Sequence, residues 1–363
     1  MSPLAAPAEV QRLWYTRCPA PTPFGIAIQQ GRLEREFASD GLEIKALQDA
    51  AEPSIRQSHY THSQPHSFRQ GGNIPALWAR SQGARTRVIG LTWVDEFQGL
   101  IALPSSGVET PTDLKGRRFG LPRNIRTSVV DFHRATALRG FSSLLDAAGL
   151  SLDDVHLVSL DNAPRNLSDG APVRDQGLRV LLETERPQEF SREVLALVRR
   201  EVDVVFVKGA TGLEAANMIG ARVIIDTGAQ TNRLLHANNG NPRPLTVDAE
   251  LLEQHPDLVA RVLAATIEAG EWASGHAAEV CAYIGRETRA AEHWVRYAYP
   301  ANLHLQLTID LEQPDIAAFA NFKDFLLKHA FIPADFDVAA WIDPAPLDAA
   351  RRLIGARRLT PAA

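Results

Sequence analysis

What most restricts the fold of this chain is the regular exchange of strand-like and helix-like stretches along its N-terminal part. Leu13-Trp14-Tyr15-Thr16-Arg17-Cys18 reads as a strand. Thr22 then caps a helix that Pro23 opens and that is predicted to run to about Ser39. An Asp40-Gly41 turn leads into a second strand, Leu42 to Leu47. After a polar stretch, Gly71-Gly72-Asn73-Ile74-Pro75 starts another helix with Asn73 as its expected cap, before the strand Thr86 to Thr92. The order β-α-β-α-β belongs to a wound sheet, so the predicted class is α/β.

Near Gln98 the pattern restarts. Gly99 to Ala102 reads as a short strand, and a Pro/Ser/Thr loop leads to a turn and strand over Leu114 to Leu121. A helix is expected around Val129 to Ala148, then the strand Val155 to Leu160, a helix near Arg192 to Arg200, and Asp203 to Val207 followed by a helix to Met218. Asp161 to Ser191 is polar and rich in Pro and Gly, and so long a loop inside a compact domain marks it as a candidate lid. Ala221 to Asp226 is read as the strand that returns the chain to the first lobe. The remainder is expected to be helical, over Val247 to Glu253, Pro256 to Gly275, Ala278 to Arg296, Asp310 to His329 and Leu347 to Gly355.

At 363 residues the chain exceeds one typical core, so two lobes are expected. They are residues 1–97 with 226–363 (lobe I) and 98–225 (lobe II). Two α/β lobes joined by two crossovers, with a C-terminal helical stretch, outline the type II periplasmic solute-binding fold, which holds a small molecule between lobes. The opening residues lack the basic start and apolar run of an export signal, and the expected location is therefore the cytoplasm. Two cysteines far apart give no disulfide framework. A net charge of −5 with acids and bases interspersed predicts no nucleic-acid partner, and the lack of a long apolar run predicts no membrane. A monomer is the default.

Cys18 is the first candidate for chemistry. It ends a strand whose C-terminal edge is where open α/β sheets bind ligands, and the helix start after it favours thiolate over thiol. The segment His59 to Gly72 adds what a reactive thiol needs. His59 supplies a base or hydrogen-bond partner, Arg69 a fixed cation whose fork matches an oxyanion, and Gly71-Gly72 backbone amides at a helix start. Alone, Cys18 reads as a small buried residue, Arg69 as a surface charge, and Gly-Gly as a flexible loop. Cys281, on a helical face, reads as packing. His59, His62 and His66 fall at i, i+3 and i+7, a metal-like spacing on a helix, but Pro65 argues against that helix, so no metal site is assigned. Asp153-Asp154 reads as a turn, and no Walker, nucleophile-elbow, zinc-ribbon or dinucleotide motif is visible.

Cys18-Pro19, His59-x-Thr61-x-x-Gln64-Pro65 and Arg69-x-Gly71-Gly72-x-Ile74-Pro75 resemble, in order and spacing, the active-site segments of the hydroxybiphenyl sulfinate desulfinases of bacterial dibenzothiophene desulfurisation. Thinner likeness continues through Asp113-Leu-x-Gly116-Arg-Arg-x-Gly120, Leu152-Asp-Asp-Val155, Val202-Asp203, Gly220-Ala221-Arg222 and Asp226-x-Gly228. The resemblance implies a solute-binding-protein-like fold and no cofactor. It also implies hydrolytic cleavage of an aryl carbon–sulfur bond with release of sulfite. Cys18 would be the reactive thiol, His59 its hydrogen-bond partner, Arg69 the sulfinate clamp and the Gly72 amide a further donor. Gly71, Tyr60 and Gln64 in the same segments are assigned to substrate binding. Where the family has tryptophans, this chain has Val207-Lys208-Gly209-Ala210-Thr211, which places Lys208 to meet a second anionic group. The expected partner is thus a small anionic organosulfur substrate. The alternative is a non-catalytic binding protein of an ABC-type uptake system for a sulfonate or thiamine precursor.

Overall fold

A computed structural model describes residues 10–16, 18–125, 127–162, 190–227 and 232–359. The chain divides into two compact units. The first comprises residues 1–95, 232–292 and 300–363, and the second residues 96–231 and 293–299. The short segment His293–Tyr299 thus groups with the second unit although it lies deep in the stretch assigned from sequence to lobe I. The mixed α/β architecture with two separate sheets is the one expected.

The first unit is built on a five-stranded sheet of β1 (Arg12–Thr16), β2 (Glu43–Ala46), β3 (Ser67–Gln70), β4 (Thr86–Thr92) and β10 (Arg243–Asp248), in the order β2-β1-β3-β10-β4. β1 runs parallel to β2 and β3, and β10 is antiparallel to both its neighbours. Alternation along these strands separates two faces. Leu13, Phe68, Ile89, Leu245 and Val247 join a core with Phe24, Phe37, Val259, Val262 and Leu263. The opposite face carries the register row Thr16, Arg69 and Thr246, which places an arginine at the middle of the sheet.

Thr22 caps α1 (Pro23–Gln29) as expected, its Oγ1 accepting from the Gly25 amide at 2.9 Å. The helix predicted to reach Ser39 is instead interrupted. Gly31 takes a left-handed φ of 65°, a cheap conformation only for glycine, and a second short helix, α2 (Arg32–Glu36), starts there. The polar stretch after β2 contains α3 (Pro53–Thr61), ended by His62 at φ 51°. Three histidines on one helical face therefore do not arise. α4 (Asn73–Ser81) is preceded by Gly72 as its cap residue, not Asn73.

Two further elements differ from those expected of the sequence. The strand that returns the chain to the first sheet is β10, lying just where a helix was expected to begin. The strand read in that role, β9 (Arg222–Asp226), stays in the second sheet and pairs with β5 (Gln98–Ala102). The helix expected over Ala278 to Arg296 is likewise two, Ala277–Thr288 and Glu292–Ala298, parted at Arg289 with φ 56°.

The second unit's sheet has the order β7-β6-β8-β5-β9, with β6 (Arg118–Asn124), β7 (His156–Asn162) and β8 (Val204–Lys208) parallel and β5 antiparallel to both neighbours. Leu100, Phe119, Phe141, Leu144 and Phe206 are fully sequestered within it. Nearly all of the candidate lid, residues 163–189, lies outside the described residues. Among the described residues no helix is long and apolar enough to cross a membrane.

Candidate active site

The sheet of the first unit brings Cys18, Arg69, Gly71 and Gly72 together because β1 and β3 are parallel neighbours and end at the same edge. Cys18 follows β1 and is half-buried, with a free thiol. Gly71 and Gly72 link β3 to α4. The Gly72 amide donates to Cys18 Sγ at 3.4 Å, so a helix-start N–H points at the sulfur. Gly71 is required there by space. A Cβ on it would stand 2.3 Å from Cys18 Sγ, and Arg69 Nη2 lies 3.9 Å from the same point. Thiol and guanidinium thus face one small volume.

Arg69 is only 4% exposed, yet its Nε and Nη1 have no hydrogen-bond partner among the described residues. Burial pulls its pKa down from the ordinary guanidinium value, opposed by the nearby Cys18 and Tyr60. A guanidinium nevertheless keeps its proton in proteins, so this is a dehydrated positive charge. Among the described residues no carboxylate forms an ion pair with it. Leaving such donors unsatisfied costs about 1 to 3 kcal/mol each, more for a charged group. A site that bears this cost in the free protein is prepared for an anion.

α3 covers the same face of the sheet. His59 Nδ1 and Thr16 Oγ1 share a 2.5 Å hydrogen bond, and Gln48 Nε2 donates to the same hydroxyl at 3.2 Å. The family role expected for His59 was a bond to the thiol, whereas this bond of Nδ1 goes to Thr16, two positions before Cys18. When Nδ1 is the donor, Nε2 is left as the basic nitrogen. Tyr60 packs edge-on against His59, ring centroids 4.6 Å apart, within electrostatic reach of Arg69. His62 belongs to the same layer. Its Nε2 is buried without a hydrogen-bond partner among the described residues, and burial, then Arg69 and His59, hold its pKa well below the usual imidazole range. It is neutral at pH 7.

Two predicted residues stand apart from this cluster. Gln64 lies in the loop after α3, where its side-chain amide reaches only the neighbouring Pro65 carbonyl at 3.5 Å, lining a shallow surface groove of about 390 Å³ with Thr61 and His62. Lys208, in the second unit, is ion-paired to Glu96 at 2.5 Å, with side chains 15% and 4% exposed. The charge expected to greet a second substrate anion is already matched by a carboxylate. Cys281 is buried and its Sγ donates to the Glu292 carbonyl at 3.6 Å, a packing role.

Two residues outside the motifs, Thr16 and Asn239, also shape the site. Thr16 was legible in principle, since alternation puts it on the Arg69 face. Asn239 was not. Its Oδ1 accepts from the Ile74 amide at 3.3 Å and sits 2.4 Å from where a Gly72 Cβ would be, so a loop 165 positions downstream covers the start of α4. Among the described residues no group of three His, Cys, Asp or Glu side chains is placed to hold a metal ion.

Comparison with known proteins agrees with the resemblance read from the motifs. The NMT1/THI5 like family matches residues 36–171. The chain is 26% identical over 357 residues to 2'-hydroxybiphenyl-2-sulfinate desulfinase of Rhodococcus erythropolis, covering 92% of this chain and 91% of that one, with the same figures for the Rhodococcus qingshengii protein. In structure it is similar to a cysteine-to-serine mutant of the desulfurization enzyme DSZB in complex with biphenyl-2-sulfinic acid (TM-score 0.71, 23% identity, 94% and 99% of the two chains). It is also similar to the periplasmic aliphatic sulphonate binding protein SsuA of Escherichia coli (TM-score 0.63, 16% identity, 92% of each chain). These structures establish the periplasmic-binding-protein-like fold.

Proposed function

We propose that this protein is a cofactor-independent desulfinase that cleaves the carbon–sulfur bond of an organic, aromatic sulfinate and releases sulfite. The observation that carries the reading is the buried Arg69 guanidinium with unspent donors beside a free thiol. The net reaction, arylsulfinate plus water giving arene plus hydrogen sulfite, balances without any redox partner. Arg69 and the Gly72 amide hold the two sulfinate oxygens, which orients the sulfur toward Cys18. Attack of Sγ on that sulfur forms a sulfur–sulfur bond as the aryl carbon leaves with the thiol's proton, and water then frees sulfite and restores the thiol. Proton delivery from the thiol straight to the ring carbon gives the same products. His59, held by Thr16, is the group that takes the proton water loses on forming sulfite and returns it to the sulfur of Cys18 in either route.

The second reading is a sulfonate-binding protein without turnover, favoured by the fold likeness to SsuA. Mere binding asks for the guanidinium but not for a thiol aligned on a helix-start amide. Incubation with a panel of aryl and alkyl sulfinates and sulfonates, with sulfite as the readout, separates the two. Sulfite from an aryl sulfinate supports the enzyme. Tight binding with every ligand recovered unchanged supports the carrier.

A further inference from the structure

We infer that Asn239 is a positioning residue for the thiol, because it caps α4 from outside the helix with a neutral group and so leaves the field at the helix start positive. The inference rests on Cys18 being the working thiol. The residue before α4 is Gly72, which has no side chain to cap with, and a Cβ on it would displace the Asn239 carboxamide. Caps are ordinarily drawn from the residues at the helix start itself, where Asp and Asn serve about equally. Here the oxygen comes from Asn239, and Oδ1 takes the Ile74 amide while the Gly72 amide remains aimed at Sγ.

The loop that carries Asn239 is held for this task. Asn238 and Asn241 exchange backbone hydrogen bonds at 3.2 and 2.9 Å, and Gly240 between them has φ 103°. The Asn73 side chain, buried at the first turn of α4, donates to the carbonyls of Asn238 at 2.9 Å, Asn241 at 3.4 Å and Pro242 at 3.1 Å. Arg243 Nη1 donates to Asn241 Oδ1 at 3.2 Å. Loop and helix start are therefore tied together by hydrogen bonds. Asn239 itself is half-buried, placed over the glycine whose amide touches the thiol.

Charge is what makes the choice of amide over carboxylate consequential. Among the described residues the charged group beside the thiol is Arg69 from β3, with Tyr60 and His62 within electrostatic reach of that guanidinium and His59 within reach of His62. A carboxylate at position 239 would cap α4 equally well while setting a negative charge beside Sγ and beside any bound oxyanion. The amide meets the backbone's need and leaves the anion site intact.

The test follows Cys18 alkylation by iodoacetamide against pH in a Cys281→Ser background, without substrate. Asn239→Asp is expected to raise the alkylation midpoint by about one pH unit, a tenfold loss of thiolate below it, with an unchanged melting temperature. Asn239→Ala removes the negative end of the carboxamide from the helix start and is expected to lower the midpoint by a few tenths of a unit. Opposite shifts support the inference, and the Ala variant alone decides it should the Asp variant not fold. Midpoints equal to the parent's in the folded variants overturn it. Failure of the parent protein to release sulfite would remove the desulfinase reading while leaving this outcome readable.

Discussion

Lys208 of the second unit and Arg69 of the first are both largely withdrawn from water, and the two are treated in opposite ways. Lys208 meets Glu96 in a close ion pair, while Arg69 has a thiol, a phenol ring and two imidazoles nearby but no carboxylate partner among the described residues. A paired cation is explained by the fold that holds it. An unpaired one is a debt that only a ligand settles, so charge balance discriminates a binding site from architecture better than residue type does.

Substitutions sharpen that contrast. Arg69→Met is expected to weaken aryl sulfinate binding by about 2 to 5 kcal/mol, while the melting temperature stays level or rises because a dehydrated charge has been removed. Calorimetric titration and thermal melting check the two halves. Lys208→Met should do the reverse. It strands Glu96 and lowers stability by about 3 kcal/mol in denaturant titration, with KM unchanged. A Lys208 variant with normal stability and raised KM would erase the distinction between the two cations. Gly71→Ala must displace the sulfur that its Cβ would overlap, and a displacement of that size is expected to lower kcat about 100-fold with binding retained.

The smallest effect is a pH dependence. His62 titrates below its unfolded value, so the unfolded chain binds more protons, and stability is lost as pH falls from about 6.5 toward the folded pKa. His62→Gln is expected to flatten that acid arm in melts between pH 5 and 7. An arm as steep as the parent's would contradict the placement of a neutral imidazole beside Arg69.

Much of the first sheet was legible because β1, β2 and β4 carry apolar alternation and glycine or proline punctuation. β3 was missed because its four residues, Ser67-Phe68-Arg69-Gln70, hold a single apolar side chain. Functional demand replaced the pattern, since Arg69 faces the site and Gln70 turns inward to accept from the Phe24 amide at 3.1 Å and donate to Thr92 at 2.8 Å. β10 was missed for another reason. Pro244 argues against a central strand, but β3 pairs with β10 only from Leu245 onward, so the proline occupies a stretch flanked by β4 alone. The motif spacing placed Cys18, Arg69 and the glycines correctly at one edge. Spacing carries no information on partners, which is why neither the Glu96 partner of Lys208 nor the distant cap at Asn239 was legible.

The claim that the thiol beside Arg69 performs turnover is tested most directly by counting products from one aryl sulfinate with parent and Cys18→Ser proteins. The parent is expected to yield one sulfite and one desulfinated arene per substrate consumed, and the serine variant neither, while still binding the sulfinate in titration. Sulfite formed at an undiminished rate by the serine variant would contradict the account.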